Sequence, residues 1–165
     1  MKKRVLYGNA NYEELVRDHG YFVDKTAYIE QLEREKNAVF LRPRRFGKSL
    51  FCRLLECYYN IGQHPTPLRN AFFVAHFDFS VVDPTGTLAE IEQSFNHHCN
   101  ITLKTMLGLA HSWFHGAIEI VPHESAAANL ERLLRYVQEH HLPALYIIID
   151  EYDNFANQLI TAHKD

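Results

Sequence analysis

The sequence predicts an α/β protein, with a mostly parallel sheet carrying helices on its faces. Three observations carry that reading. Short apolar runs at 38–41, 71–79 and 145–149 alternate with longer stretches of helical period. The first run leads through Gly47-Lys48-Ser49 into one of those helical stretches. The last run, Leu145-Tyr-Ile-Ile-Ile149, stops at Asp150. A continuous apolar run of that length predicts a strand covered on both faces, as parallel sheets require.

Each element has a local reason. Asn11 to Asp18 reads as a short helix and Tyr21 to Val23 as a short extended piece. Asp24 is a candidate N-cap for a helix from Lys25 to about Lys36, with Tyr28, Ile29 and Leu32 inward. Ala38 to Leu41 reads as a buried strand that Pro43 stops. From Gly47 to about Asn60, Leu50, Leu54, Leu55 and Tyr58 recur at helical spacing, and Gly62, Pro65 and Pro67 break the pattern. Ala71 to Phe79, rich in Phe and Val, reads as a strand, and Asp83-Pro-Thr-Gly86 as a turn. Thr87 to about Leu109 predicts a helix with Leu88, Ile91, Phe95, Leu103, Met106 and Leu107 on its apolar side. Gly108 to Pro122 fits no single pattern. Ser125 caps a helix to His140 whose stripe is Leu130, Leu133, Leu134 and Val137, and Pro143 marks its exit.

Composition narrows the function classes. The chain has 165 residues, 47% of them apolar and 22% charged, which suits one domain with a real core. Its net charge of −3 argues against a surface built to grip nucleic acid. The basic residues Arg42, Arg44, Arg45, Lys48 and Arg53 cluster around the Gly-Lys-Ser turn. Cys52, Cys57 and Cys99 are an odd count without a CxxC pair, so reduced, buried thiols are expected. The opening residues hold no signal-like apolar run and no stretch is long enough to span a membrane, so a cytoplasmic protein is expected. Eleven histidines include His111 and His115 at i, i+4, but without the glutamate of a zinc-protease helix.

The chemistry concentrates in two places. Gly47-Lys48-Ser49 has the form of the end of a phosphate-binding loop at a strand-to-helix turn. The loop pattern's first glycine is replaced by Arg42, and Pro43 lacks an amide donor, but both precede the amides of Arg45 to Ser49 that curl around phosphates. Gly47 admits close backbone approach, Lys48 reaches β/γ oxygens, and the Ser49 hydroxyl serves Mg²⁺. Arg44, Arg45, Phe46 and Leu50 complete the expected nucleotide-binding set, the two arginines adding charge beside the γ-phosphate. At the other place, Asp150 is the expected second Mg²⁺ donor, and Glu151 the catalytic base that orients water. Asp153 is a candidate outer acid. Together these residues predict a three-layer P-loop sandwich holding a nucleoside triphosphate and Mg²⁺.

The residues also resemble a known group, the AAA-ATPase-like proteins of bacteria. The resemblance runs through Gly20-Tyr-Phe-Val-Asp-Lys-Thr26, Phe40-Leu-Arg-Pro-Arg-Arg-Phe-Gly-Lys-Ser-Leu50, His76-Phe-Asp-Phe-Ser80 and Ile148-Ile-Asp-Glu-Tyr-Asp153, and so spans nearly the whole chain. It includes Arg42, since Arg-Pro-Arg-Arg-Phe-Gly-Lys-Ser is typical of the group. It implies a P-loop ATPase whose sheet gains a further strand between the phosphate-loop strand and the Asp-Glu strand. On that reading residues 1–165 are the N-terminal part of one domain, incomplete at its C-terminus. The resemblance further implies that a nuclease-like module follows in a longer chain. Asp24 fits a helix cap as well as a ligand contact, and Asp78 and Ser80 a turn as well as a site.

Three functions fit these residues. One is an ATP-binding and ATP-hydrolysing domain that drives or regulates a downstream module. The second is a nucleotide sensor without turnover, and the third a small P-loop kinase. Glu151 beside Asp150 favours hydrolysis over transfer to a second substrate.

Overall fold

The computed structural model describes residues 11–35, 38–41, 46–60 and 71–162. They form two compact units, Met1–Tyr58 and Tyr59–Asp165. Both units mix features the sequence announces with features it conceals.

In the first unit, α1 is Tyr12–Arg17, started by the Asn11 side chain accepting from the Glu14 amide at 3.2 Å. The helix expected from Lys25 is shorter than predicted: a 3₁₀ turn, Thr26–Tyr28, runs into one turn of α2, Ile29–Leu32. Asp24 acts by a tighter device than a helix cap. Its Oδ1 accepts from the Thr26 amide at 2.8 Å, and that bond, with one from the Thr26 side chain, holds its carboxyl below the usual range. Of the expected inward residues Ile29 is buried, whereas Tyr28 is exposed. α3, Lys48–Tyr59, matches its predicted span closely and buries Phe51, Leu54 and Leu55.

Ala38 to Leu41 is not a strand. Strand backbone needs a neighbour for its N–H and C=O groups, and among the described residues no β pairing engages these four. Leu41 is 77% exposed in consequence. Tyr21 to Val23 likewise has no ladder of its own.

The second unit holds the sheet. β1, Phe73–Asp78, pairs in parallel with β2, Leu145–Asp150, in a register that sets Phe73 against Leu145 and Asp78 against Asp150. Between them run α4, Leu88–Leu109, the short α5, His111–Phe114, and α6, Ala126–Glu139. α4 opens with a reciprocal capping box: the Thr87 hydroxyl accepts from the Glu90 amide, and the Glu90 carboxylate accepts from the Thr87 amide at 2.7 Å. α7, Tyr152–Ala162, follows β2 directly, where sequence patterning predicted only an acidic strand exit.

The core joins β1 to α4 and α6. Phe73, Ala75 and Phe77 project from one face of β1 into a cluster with Cys99, Leu103, Met106, Phe114, Leu133 and Val137. Leu88, in the first turn of α4, is 74% exposed, because the buried stripe begins one turn later at Ile91. The expectation that β2 is covered on both faces fails at Ile147 and Ile149, the latter 51% exposed. They lie on the sheet face that bears Ala75 and Phe77. Over β1 that face is covered. Among the described residues β2 has β1 as its sole neighbour, with no third strand to carry a layer farther out.

The polar core was not legible as such. Asn129 is fully buried in α6, and it holds the irregular stretch before the helix by both ends of its amide. Its Oδ1 accepts from the Val121 amide at 3.0 Å, and its Nδ2 donates to the Val121 carbonyl at 2.9 Å and to Asn100 Oδ1 at 2.9 Å. Asn100 Nδ2 in turn donates to the Glu124 carbonyl at 3.0 Å, and Asn96 Oδ1 accepts from the Ala126 amide at 2.7 Å. Arg132 closes the set, donating to Asn129 and pairing with Glu124. Three asparagines thus fix the segment Val121–Ala126, at the end of the stretch that sequence patterning leaves open.

Several histidines serve backbone geometry. His19 and His141 sit just past α1 and α6 at φ 52° and 51°. The bonds from Gly20 N to Leu15 O at 2.7 Å and from Leu142 N to Val137 O at 3.0 Å complete six-residue closures there. His115 ends α5 at φ 48°. Imidazole stands where glycine usually does, since histidine tolerates the left-handed region better than most residues.

Of the thiols expected to be buried only Cys99 is; Cys52 and Cys57 are half-buried, because α3 turns Phe51, Leu54 and Leu55 inward in their place. Burial raises Cys99 from 9.0 to about 11. Burial, then the charges of Glu13 and Glu56, raises Cys57 to about 11 as well. At pH 8 their thiolate fraction is expected to be about a hundredfold below that of an ordinary cysteine. Timed iodoacetamide labelling read by mass spectrometry should show both sites protected in the folded protein and reactive in urea. The same shift costs stability as pH climbs from 9.0 through about 11, because the unfolded thiols ionise first.

Candidate functional site

The glycine-lysine-serine element opens α3 as expected, but the strand expected before it, Ala38–Leu41, is not one, so only the helix half of the predicted strand-to-helix turn is present among the described residues. Gly47 has φ +75°, a conformation that strains any residue with a Cβ. Its carbonyl accepts from the Phe51 amide at 3.0 Å and closes the first helical turn. Lys48 is therefore the first helical residue, with Ser49 and Leu50 in the same turn, all half-buried. Amides of a first turn have no partner within their helix, and the helix dipole makes that end attractive to anions. Phe46 precedes this turn and is exposed. Arg42, Arg44 and Arg45 lie outside the described residues.

A contact that sequence reading missed reaches this element from the Asp-Lys-Thr segment. Lys25 Nζ donates to the Phe46 carbonyl at 3.0 Å. A Cβ built on Gly47 would stand 3.5 Å from that ammonium. Beside them is an open recess of about 260 Å³, walled by Phe22, Val23, Phe46, Leu50 and Leu54 with Lys25 at its polar side. The visible signal was the Asp24-Lys25-Thr26 triplet itself, but nothing in its spacing tied Lys25 to a loop 21 residues away.

In the second unit the acidic pair ends β2. Asp150 is 6% exposed, and its Oδ1 accepts from the Glu151 amide at 3.0 Å. Glu151 adopts φ 56°. Such a conformation costs a residue with a side chain about 1–2 kcal/mol, and strain of this kind gathers at functional sites. The Glu151 carbonyl accepts from the Phe155 amide at 3.3 Å, so the residue is both strand exit and helix entry. Asp153 is exposed in the first turn of α7.

The register adds Asp78 to this end of the sheet, directly opposite Asp150. Its Oδ1 accepts from the Ser80 amide at 3.0 Å, which is the turn-forming role that sequence allowed. His98 on α4 stays below its ordinary pKa chiefly through burial, while the nearby Asp78 charge pulls the other way. Gly47, Lys48, Ser49 and Leu50 belong to the first unit, Asp150 and Glu151 to the second.

A phosphate-loop-like helix start and an acidic parallel-strand end are features of nucleotide-binding α/β proteins. The protein family described as Predicted AAA-ATPase matches residues 6–165. The chain belongs to this AAA-ATPase-like family. No curated protein and no solved structure matches it. No helix among the described residues is long and apolar enough to cross a membrane.

Proposed function

We propose that the chain is the nucleotide-binding part of a Mg²⁺-dependent ATPase that drives or regulates a further module. The observation that carries the reading is Gly47 at φ +75° immediately before the N-terminus of α3. A glycine in that conformation lets a phosphate approach the backbone closely, and Lys48 would supply the charge. On this reading Lys48 binds the β/γ oxygens, Arg44 and Arg45 add positive charge for the γ-phosphate, and Phe46 belongs to the nucleotide-binding set. The recess beside Phe46 is apolar enough for a base. The oxygen donors Ser49 and Asp150 suit Mg²⁺, a hard cation, and a buried carboxylate such as Asp150 favours a cationic partner. Bound Mg²⁺ would neutralise developing charge on the phosphates. Glu151, held off the strand by its left-handed backbone, orients the attacking water.

The same reading makes residues 1–165 part of a larger three-layer sandwich. Exposed Ile147 and Ile149 support a further layer beside β2. A nuclease-like module in a longer chain is the downstream partner that this reading favours.

Calorimetric titration of MgATP into wild type and Lys48→Ala tests the reading. The variant should bind about 10–100-fold more weakly, the loss of one or more charge-assisted hydrogen bonds. Equal affinity in both proteins would remove the lysine, and with it the phosphate loop, from the site.

A further inference from the structure

We propose that Lys25 is a positioning residue of this nucleotide site: its ammonium fixes the Phe46–Gly47 peptide so that the Gly47 amide faces a bound β-phosphate. The inference rests on the nucleotide reading above and adds a part to it.

The argument begins with peptide geometry. In a trans peptide the carbonyl and the following N–H point in opposite directions, and no cis peptide occurs among the described residues. Whatever holds the Phe46 oxygen therefore aims the Gly47 N–H. Lys25 Nζ holds that oxygen at 3.0 Å. Control is needed at this peptide because glycine is the residue with least torsional preference of its own. The left-handed φ of Gly47 is one of several wells open to it, and the bond to Lys25 selects one.

Lys25 is itself held in place. Asp24 accepts the Thr26 amide at 2.8 Å and bends the chain around Lys25, whose backbone stands at φ −114°, ψ 12°. Buried Ile29 anchors the turn that follows. The half-buried side chain then runs along the recess to Phe46. Asp24, Lys25 and Thr26 thus form one device: a carboxylate that shapes the turn, an ammonium that reaches out, and an amide that locks the carboxylate. An ammonium has three N–H donors, and its charge lies near the peptide that would approach the phosphate.

The test is titration of MgATP and MgADP into wild type, Lys25→Met, Lys25→Arg and Lys48→Ala, with thermal melting of each nucleotide-free protein. Lys25→Met should bind both nucleotides about tenfold more weakly. The factor should be the same for both, because the β-phosphate is common to them, and the melting temperature should stay at the wild-type value. Lys25→Arg should recover most of the affinity, since guanidinium also donates to a carbonyl. Wild-type affinity in Lys25→Met overturns the proposal. So does a loss confined to MgATP, which would make Lys25 a direct γ-phosphate contact. A fall in melting temperature that parallels the loss would make it a purely structural residue and overturn it too. If wild type binds neither nucleotide, the nucleotide reading and this one fail together. If only Lys48→Ala loses binding, this one fails alone.

Discussion

Glu151→Gln is expected to abolish ATP turnover while leaving MgATP affinity and thermal stability near wild type, and Glu151→Gly to abolish turnover while raising stability. The two substitutions separate the two things this residue does. Its side chain is the proposed water-orienting base, whose removal lowers turnover about 10²–10⁴-fold. Its backbone sits at φ 56°, which penalises any residue with a Cβ. Glutamine keeps that penalty and glycine releases it. The gain should be about 1 kcal/mol, or about 2–4 °C in melting temperature for a chain of this size. Phosphate release and differential scanning fluorimetry on the same preparations give both readouts. Unchanged turnover in Glu151→Gln would strip the residue of its role. A wild type that binds MgATP without turning it over would favour the nucleotide-sensor function.

The second large effect lies far from phosphate chemistry. Asn129→Ala should destabilise the second unit by about 3–5 kcal/mol. The side chain is fully buried, and its amide satisfies both the amide and the carbonyl of Val121 as well as Asn100. Truncation leaves buried Asn100 and the half-buried Val121 amide and carbonyl without these partners, at about 1–3 kcal/mol each before relaxation. Urea denaturation should show the loss in midpoint. Asn129→Leu, which restores apolar volume without restoring any bond, should be no better. A loss under 1 kcal/mol would mean that water takes over the bonds.

The contrast between Asn129 and its neighbours shows what sequence reveals. The periodicity of α6 was plain from Leu133 and Val137, and both are core. The same pattern admitted Leu134, which is exposed, and hid Asn129, because apolar spacing cannot register a polar residue satisfied by loop backbone. The helix starts at Thr87 and Ser125 were legible because capping is local chemistry. The strand expected at Ala38–Leu41 was not realised, because a strand is defined by a neighbour and not by its own residues. At the site, Gly47-Lys48-Ser49 and Asp150-Glu151 were visible as local patterns at element ends. The bond from Lys25 to Phe46 and the pairing of Asp78 with Asp150 arise from tertiary approach and from register, and neither leaves a local trace.

The parallel pairing of β1 with β2 also governs how this unit assembles. The strands have no hairpin between them, and the whole stretch from Phe79 to Ala144 must cross over before Asp78 can meet Asp150. Closing so long a connection carries an entropic penalty that the docking of α4, α5 and α6 against the sheet offsets. The acidic end of the sheet therefore exists only once that long connection has closed, and topology of this kind predicts slower folding than a hairpin would give.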